Sequence, residues 1–379
     1  MPLKKLLLKP GVNRENTRYT SEGGWYECNN IRFRQGTPEK IGGWTRLNTV
    51  KFLGVARSLW NWITLGGQNL IGVGTNIKFY IENGGAYNDI TPLRSTTSAG
   101  DVTFSAPNTT LSANVTSTTA TTIPLADATG FPLSGLVLID TEAVAYTNIS
   151  ENTLTGCTRG ASKLISDVAT ATSKATHSAG AGVTCFTLLV TDASHGARDG
   201  DFVTYTNAVT LGANITAAVL NLEYEIQSVE TDNTYTILAK SFSNVDLKFT
   251  NVAATSSDSG NGGSGTVGAY QLSVGVTTAT DLAGWGASSW GAGPWNQGLT
   301  SQEELRIWSQ QNFGEDLIFG FRGGRIYYWD ASTSVVTRAL ELSGSNVPTI
   351  QNSILVSDIN GFVFCFGANP LGSVVQDPM

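Results

Sequence analysis

Apolar residues along this chain recur mostly at every second position, and the spacing of three to four that marks a helix is almost absent. Short alternating runs bounded by Gly, Asn and Asp predominate, which predicts brief strands joined by tight turns. Three segments repeat one pattern: NLIGVGTNIKFYIENGGAYNDITPL from Asn69, DLIFGFRGGRIYYWDASTSVVTRAL from Asp316, and NSILVSDINGFVFCFGANPLG from Asn352. Each holds an apolar strand, a turn (Thr75-Asn76, Gly323-Gly324, Asn360-Gly361) and a second strand rich in aromatics. Gly-Gly and Asn-Gly suit hairpin turns because they accept positive φ at little cost. Trp60 and Trp308 lie about ten residues ahead of the first two units, in a predicted preceding strand.

A repeated antiparallel unit with an aromatic signature is what a propeller blade requires, since a small sheet buries both faces only by stacking on its neighbours. This favours a propeller over a sandwich built from ordinary hairpins. The expected fold is therefore all-β, with a β-propeller-like body interrupted by a large insertion of small β modules. Three units are fewer than the four blades of the smallest closed propeller. The sequence stops at Gln376-Asp377-Pro378-Met379, directly after the third unit, so the natural C-terminus is expected further on.

Tryptophan marks the limits of the insertion. Trp25, Trp44, Trp60 and Trp62 precede it, Trp285, Trp290, Trp295, Trp308 and Trp329 follow it, and residues 95–280 hold none. The expected division is 1–94 (basic arm and first body strands), 95–282 (insertion) and 283–379 (the body resumed). Within the insertion, 108–185 and 186–250 read as two β modules. Glu223–Ser228 and Asn233–Leu238 alternate as half-buried strands around a turn at Asp232-Asn233. Residues 254–268, ATSSDSGNGGSGTVG, read as a flexible linker by composition. In GWGASSWGAGPWNQG the tryptophans are five apart, which fits neither helix nor strand and suggests rings pinned onto a neighbouring surface.

At 379 residues the chain can build a substantial core, and an apolar fraction of 41% argues against wholesale disorder. Charge is sparse at 14% and unevenly placed. Residues 1–57 carry eleven Lys/Arg against four Glu; the remainder carries twelve Lys/Arg against 26 Asp/Glu, a balance of −14. A basic arm on an acidic body can dock an acidic partner, or simply be solvated. The body is too acidic for ordinary nucleic-acid binding. Cys28, Cys157, Cys185 and Cys365 are widely spaced, with no C-x-x-C, which argues against a zinc site or a disulfide framework and for free thiols. No signal peptide and no apolar run of membrane-spanning length is found.

Candidate chemistry is sparse. His195 can be written into a Ser-His-Asp triad, but no G-x-S-x-G turn accompanies it and a loop histidine is the plainer reading. Asp140 with Glu142, and Glu223 with Glu225, are spaced to share a strand face, as glycosidase carboxylates or as ordinary solvent-facing charges. Glu303-Glu304 and Glu315-Asp316 read as strand-flanking turns. Asp199 and Asp201 around Gly200 match only part of a calcium loop. Gly72-Val73-Gly74 lacks the third glycine and the helix of a phosphate-binding turn. Phe79, Tyr80, Tyr327, Tyr328 and Trp329 could stack on sugars or bases, but fit packing between blades better.

The first residues carry a more specific pattern: Pro10-Gly11-Val12-Asn13, then Gly24-Trp25, Asn30-Ile31-Arg32-Phe33-Arg34, Pro38-Glu39-Lys40 and Gly42-Gly43-Trp44. This stretch, together with that from Leu305 through GANPLGSVVQDPM, resembles the tail nozzle, or packaged-DNA-stabilisation, proteins of short-tailed (podovirus-type) bacteriophages. The resemblance covers residues 1–94 and about 283–379, with the modules between them similar to accessory β modules of phage tail proteins. It implies a virion tail protein made in the host cytoplasm, with no enzymatic activity, no cofactor and no metal. Several copies, usually six, would form a tube below the portal and adaptor that retains DNA and conducts it out. Other tail proteins such as fibres would be further partners. Arg14, Arg18, Trp25, Arg32, Phe33, Arg34 and Trp44 are then the expected assembly interface, and the insertion should project outward. The rival readings are a carbohydrate-binding or carbohydrate-cleaving tail protein and a cellular propeller scaffold.

Overall fold

A computed structural model describes residues 9–15, 17, 19–20, 23–43, 45–46, 50–273, 307–357, 359–370 and 373. The fold is all-β, and the one helix among the described residues is a single turn. The chain divides into two units, Met1–Lys51 and Phe52–Met379.

In the first unit, β1 (Ile31–Arg34) and β2 (Thr37–Lys40) form a hairpin. Gln35 and Gly36 both take positive φ at its turn, 50° and 79°, which matches the twist of the two strands.

The second unit begins with an antiparallel meander, β3 (Ala56–Ile63), β4 (Asn69–Thr75), β5 (Phe79–Asn83) and β6 (Ala86–Asp89). The chain then leaves through β7 (Leu93–Thr96) and β8 (Thr103–Ser105) into the insertion. The first module holds β9 (Asn108–Thr110), β10 (Thr122–Pro124), β11 (Gly135–Ile139), β12 (Glu142–Tyr146), β13 (Asn148–Ser150), β14 (Thr153–Thr155), β15 (Ser162–Ile165), β16 (Val168–Ala171) and β17 (Gly182–Cys185). Two small sheets, β12-β11-β17-β9 and β10-β14-β13, close on a core that includes Ile123, Val137, Ile139, Leu154 and Val183.

The second module holds β18 (Thr187–Thr191), β19 (Phe202–Thr206), α1 (Ala217–Leu220), β20 (Glu223–Thr231), β21 (Thr234–Leu238), β22 (Lys240–Ser243), β23 (Lys248–Asn251) and β24 (Val267–Gln271). Its seven-stranded sheet runs β7-β24-β19-β20-β21-β18-β8. Six of these strands, all but β7, contribute to one core, so the sheet wraps round it. The first module's core draws on residues 111–185, the second module's on Val102–Ala106 and on residues from Leu188 onward, and Phe186 packs with Leu136 and Ala143 between them.

Residues 254–266 are not a linker. Asp258 is buried and accepts N–H groups from Asn214, Ile215 and Thr255, Thr266 is fully buried, and the segment leads into β24, which pairs with β19 and β7. Composition misleads because these glycines serve close approach: a Cβ on Gly260 would lie 2.9 Å from Leu211 Cα.

After the insertion, β25 (Trp308–Phe313), β26 (Asp316–Phe321), β27 (Ile326–Trp329) and β28 (Leu340–Glu341) form a second four-stranded meander. A final hairpin follows, β29 (Ser353–Ser357) and β30 (Phe362–Phe366). The three sheets stack face to face. Trp62, Leu70, Phe79 and Ile81 of the first share a core with Trp308, Leu317, Phe319 and Trp329 of the second. On the second sheet's other face, Ile318 and Ile326 pack with Ile354, Val363 and Cys365 of the hairpin. Alternation of side chains across the pleat is what gives the middle sheet two apolar faces.

Candidate assembly surfaces

The stack is fastened by side chains that cross it. Phe79 lies flat on Phe319 with ring centroids 4.0 Å apart. Three indoles of the body donate across the same gap: Trp308 Nε1 to Thr75 O (2.6 Å), Trp62 Nε1 to Glu315 O (2.8 Å) and Trp60 Nε1 to Asn312 Oδ1 (3.2 Å). A buried tryptophan supplies large apolar area and needs a partner for its N–H, and here the neighbouring sheet is that partner. The Gly72-Val73-Gly74 motif has its explanation in this contact. A Cβ on Gly74 would sit 2.5 Å from Trp308 Cδ1, and Gly72 lies under Gln310, whose Nε2 donates to Ser58 Oγ at 2.8 Å.

On the far side of β25, Ser309 Oγ donates to Ile354 O (3.0 Å) and accepts the Ile354 N–H (2.9 Å). Strand β25 therefore lies between β3 and β29, so the first strands of three successive sheets are side by side. Here the third sequence repeat departs from its expected place. Its pattern aligns with the second and third strands of the earlier units, but β29 occupies the position of β3 and β25. Its two strands look alike in sequence because both face an apolar neighbour, and that pattern does not encode rank within a sheet.

The insertion is tied to both meanders through one charged cluster. Lys78, at the start of the β5 segment and almost fully buried, donates to Asp89 Oδ2 (2.7 Å) and to Glu223 Oε2 (2.6 Å). Arg338, from the loop before β28, reaches the same two carboxylates at 3.5 and 3.4 Å and donates to Thr91 O. Gln271 Nε2 also donates to Glu223. Burial raises the Asp89 carboxyl, but Lys78 and Arg338 outweigh it and hold the group below its ordinary value. Glu223 and Glu225 do share a face of β20, but Glu223 is consumed by this cluster while Glu225 is exposed.

Glu142 and Asp140 do not form a solvent-facing pair on one strand. Asp140 is the turn residue before β12, at φ 53°, and Glu142 is fully buried. His177 sits between them, Nδ1 2.7 Å from Asp140 and Nε2 3.0 Å from Glu142. Arg159 and the N–H groups of Gly160 and Ala175 complete the contacts of Glu142. A carboxylate enclosed and hydrogen-bonded in this way offers no open lone pair to a substrate. His195 is a buried loop residue, its Nε2 against Thr231 O and its Nδ1 accepting from Ala197 N–H. Asp199 and Asp201 accept backbone N–H groups of Val229 and Arg198, and no metal-ligand cluster is found among the described residues. Cys157 and Cys185 are buried free thiols, pushed up by desolvation, while Cys28 and Cys365 are half-buried.

In the first unit, the expected alternation on β1 is present: Ile31 and Phe33 are half-buried, Arg32 and Arg34 exposed. Phe33 meets Trp25 edge-on at 6.0 Å, and Trp25 bridges to Val12. Arg32 pairs with Glu39 on β2 at 3.1 Å, and Arg14 donates to Tyr26 O and lies 3.6 Å from Glu27. Trp25, Phe33 and the arginines at 14, 32 and 34 thus sit on one small hairpin and the loop before it. Arg18 and Trp44 lie outside the described residues, as do Trp285, Trp290, Trp295 and Glu303-Glu304. Lys78, Arg338 and Gln271 are not singled out by sequence. The one available signal is a lysine inside the otherwise apolar run IKFYI.

No helix among the described residues is long and apolar enough to cross a membrane. Set against protein-family models, curated proteins and solved structures, the chain matches none of them.

Proposed function

We propose that this chain is a structural component of a short phage tail: a propeller-like body that assembles in several copies, on the order of six, into a ring below the portal and adaptor. The ring retains packaged DNA and conducts it during ejection. The observation that carries the reading is the alignment of β3, β25 and β29 across three stacked sheets, which is how the first strands of adjacent blades would lie if these sheets are blades of a propeller. The opening motif from Pro10 to Trp44 adds the family likeness. A conduit needs walls that DNA slides past, and a body with a charge balance of −14 beyond residue 57 repels phosphate and does not brake it. The carboxylates Glu142, Glu223 and Asp89 are spent on internal ion pairs, which leaves a carbohydrate-cleaving reading without a catalytic pair at those positions.

Negative-stain electron microscopy of the purified chain, and of particles that incorporate it, tests the proposal. Rings with a central pore are expected. Isolated monomers or trimers that act on host polysaccharide, or a pore with an evenly basic wall, would sink it.

A further inference from the structure

The charged cluster beside the first sheet has the parts of an acyl-transfer site. Lys78 stands just ahead of β5 and Asp89 ends the neighbouring strand β6, and Lys78 Nζ touches Asp89 Oδ2 at 2.7 Å. Lys78 is 2% exposed, and its Nζ lies 4.5 Å above the Phe202 ring. The other carboxyl oxygen, Asp89 Oδ1, accepts the Thr91 N–H at 2.9 Å and the Thr91 hydroxyl at 2.5 Å. Thr91 is fully buried, and its hydroxyl oxygen accepts the Phe79 N–H at 2.9 Å, which holds it in place. Two fixed donors on one carboxyl oxygen are what stabilises the oxyanion formed when a nucleophile adds to the carbon. Glu223 Oε2 accepts from Lys78 Nζ at 2.6 Å, within reach of its protons. Glu223 and Asp89 also share Gln271 Nε2 as a donor, so the two carboxylates are neighbours.

From these contacts we infer that Lys78 and Asp89 condense into an amide bond within the folded chain, with Glu223 as the catalytic residue that moves the protons. Lys78 and Arg338 hold Asp89 as a carboxylate at rest, so a proton must move first. Glu223 passes one ammonium proton to Asp89 Oδ2, which leaves a neutral amine beside a neutral carboxyl. The Nζ lone pair adds to Cγ, the C–N bond forms, and charge gathers on Oδ1 against the Thr91 donors. Glu223 then passes a second proton from Nζ to Oδ2, the Cγ–Oδ2 bond breaks, and one water leaves. Nζ keeps a single hydrogen as the amide N–H. Nothing is oxidised or reduced, and no co-reactant is needed. Held contact takes the place of an encounter in solution, an advantage that reaches about 10⁵–10⁸ M. The bond would join the end of β6, just before the chain leaves for the insertion, to the start of β5. It does not depend on the conduit reading.

Mass spectrometry of the full chain, followed over days at neutral pH, tests it. The intact mass should fall by one water. Trypsin should leave residues 58–94 uncut after Lys78, and a further cut after Glu82 should leave the two halves joined, which a succinimide at Asp89 would not do. Lys78→Arg and Asp89→Ala, with folding checked by circular dichroism, should keep the full mass. Glu223→Gln should slow the loss by about 10²-fold or more, as expected when a general acid–base is removed. Asp89→Asn should reach the same cross-linked product by losing ammonia in place of water. If Lys78→Arg misfolds, the joined halves of the wild-type peptide decide alone. A wild-type chain that keeps its full mass overturns the proposal. So does water lost equally from Lys78→Arg, or a Glu223→Gln chain that reacts as fast as wild type. Rings built from chains without the bond would leave the conduit standing while this inference falls.

Discussion

Arg159 grips Glu142 with two guanidinium nitrogens, Nε on Oε1 at 2.9 Å and Nη2 on Oε2 at 2.7 Å, and neither side chain reaches solvent. Arg159 also donates to Ser117 O and Ala175 O, so the pair joins four segments of the first insertion module. An enclosed ion pair adds little net stability over an apolar core, but losing one partner strands a buried charge. Arg159→Met should therefore cost about 3–5 kcal/mol. The loss should be confined to the first module, whose core is separate from that of the stacked sheets. Hydrogen exchange resolved by segment is the measurement; equal loss of protection in β3–β5 would contradict it.

The same carboxylate sets an acid limit. Burial alone would raise Glu142, but Arg159, Ala175 N–H, His177 and Gly160 N–H bring it from 4.5 down to about 2. A group depressed in the folded state stabilises fully above its unfolded value and loses that contribution as pH falls through the folded one. Stability of this module should thus decline between pH 4.5 and about 2. Melting curves of Glu142→Gln, compared with wild type, should lose that part of the slope.

Gly74 offers a test of the stack. Gly74→Ala places a methyl group against the Trp308 ring and should cost about 1–3 kcal/mol through overpacking. The near-ultraviolet tryptophan signal should change with it. An unaltered spectrum and melting point would mean that the two meanders are not in tight contact here.

Lys78→Met leaves Asp89 and Glu223 facing one another with Arg338 as their ion-pair partner and the neutral Gln271 amide beside it. We expect a stability loss of about 3–5 kcal/mol and a looser attachment of the insertion. Small-angle scattering would show a wider range of shapes. Pairing Lys78→Met with Asp89→Asn should recover part of the loss.

The basic arm is tested by charge reversal at Arg32 and Arg34, which under the proposed function should lower incorporation into particles about tenfold, near 1.4 kcal/mol. Arg32→Glu also faces Glu39, so the Glu39→Lys partner change separates hairpin repulsion from a lost intermolecular contact. Normal incorporation of the Arg32→Glu, Arg34→Glu chain would remove the arm from the assembly surface.

Much of the strand pattern is legible in the sequence because period-two alternation and turn residues are local. The turns at Asp232-Asn233, Gly323-Gly324 and Asn360-Gly361 fall between paired strands, Thr75-Asn76 marks the end of β4, and Phe79, Tyr327 and Trp329, read as packing residues, share one core between the sheets. What escapes is long-range. The Lys78–Glu223 pair joins residues 145 apart, and Arg159 finds Glu142 only once two hairpins have closed. The glycines of 254–268 read as slack because composition does not distinguish a free segment from one pressed against Leu211 and Phe104.

The insertion leaves and rejoins the body through neighbours in a single sheet: Ser95 pairs with Tyr270, and Leu272 N–H meets Pro92 O at 2.9 Å. A pull on the far end of the insertion would run down the paired strands β7 and β24 side by side. Through those two strands the load would reach the stacked sheets beside Lys78, whatever the size of the modules beyond them.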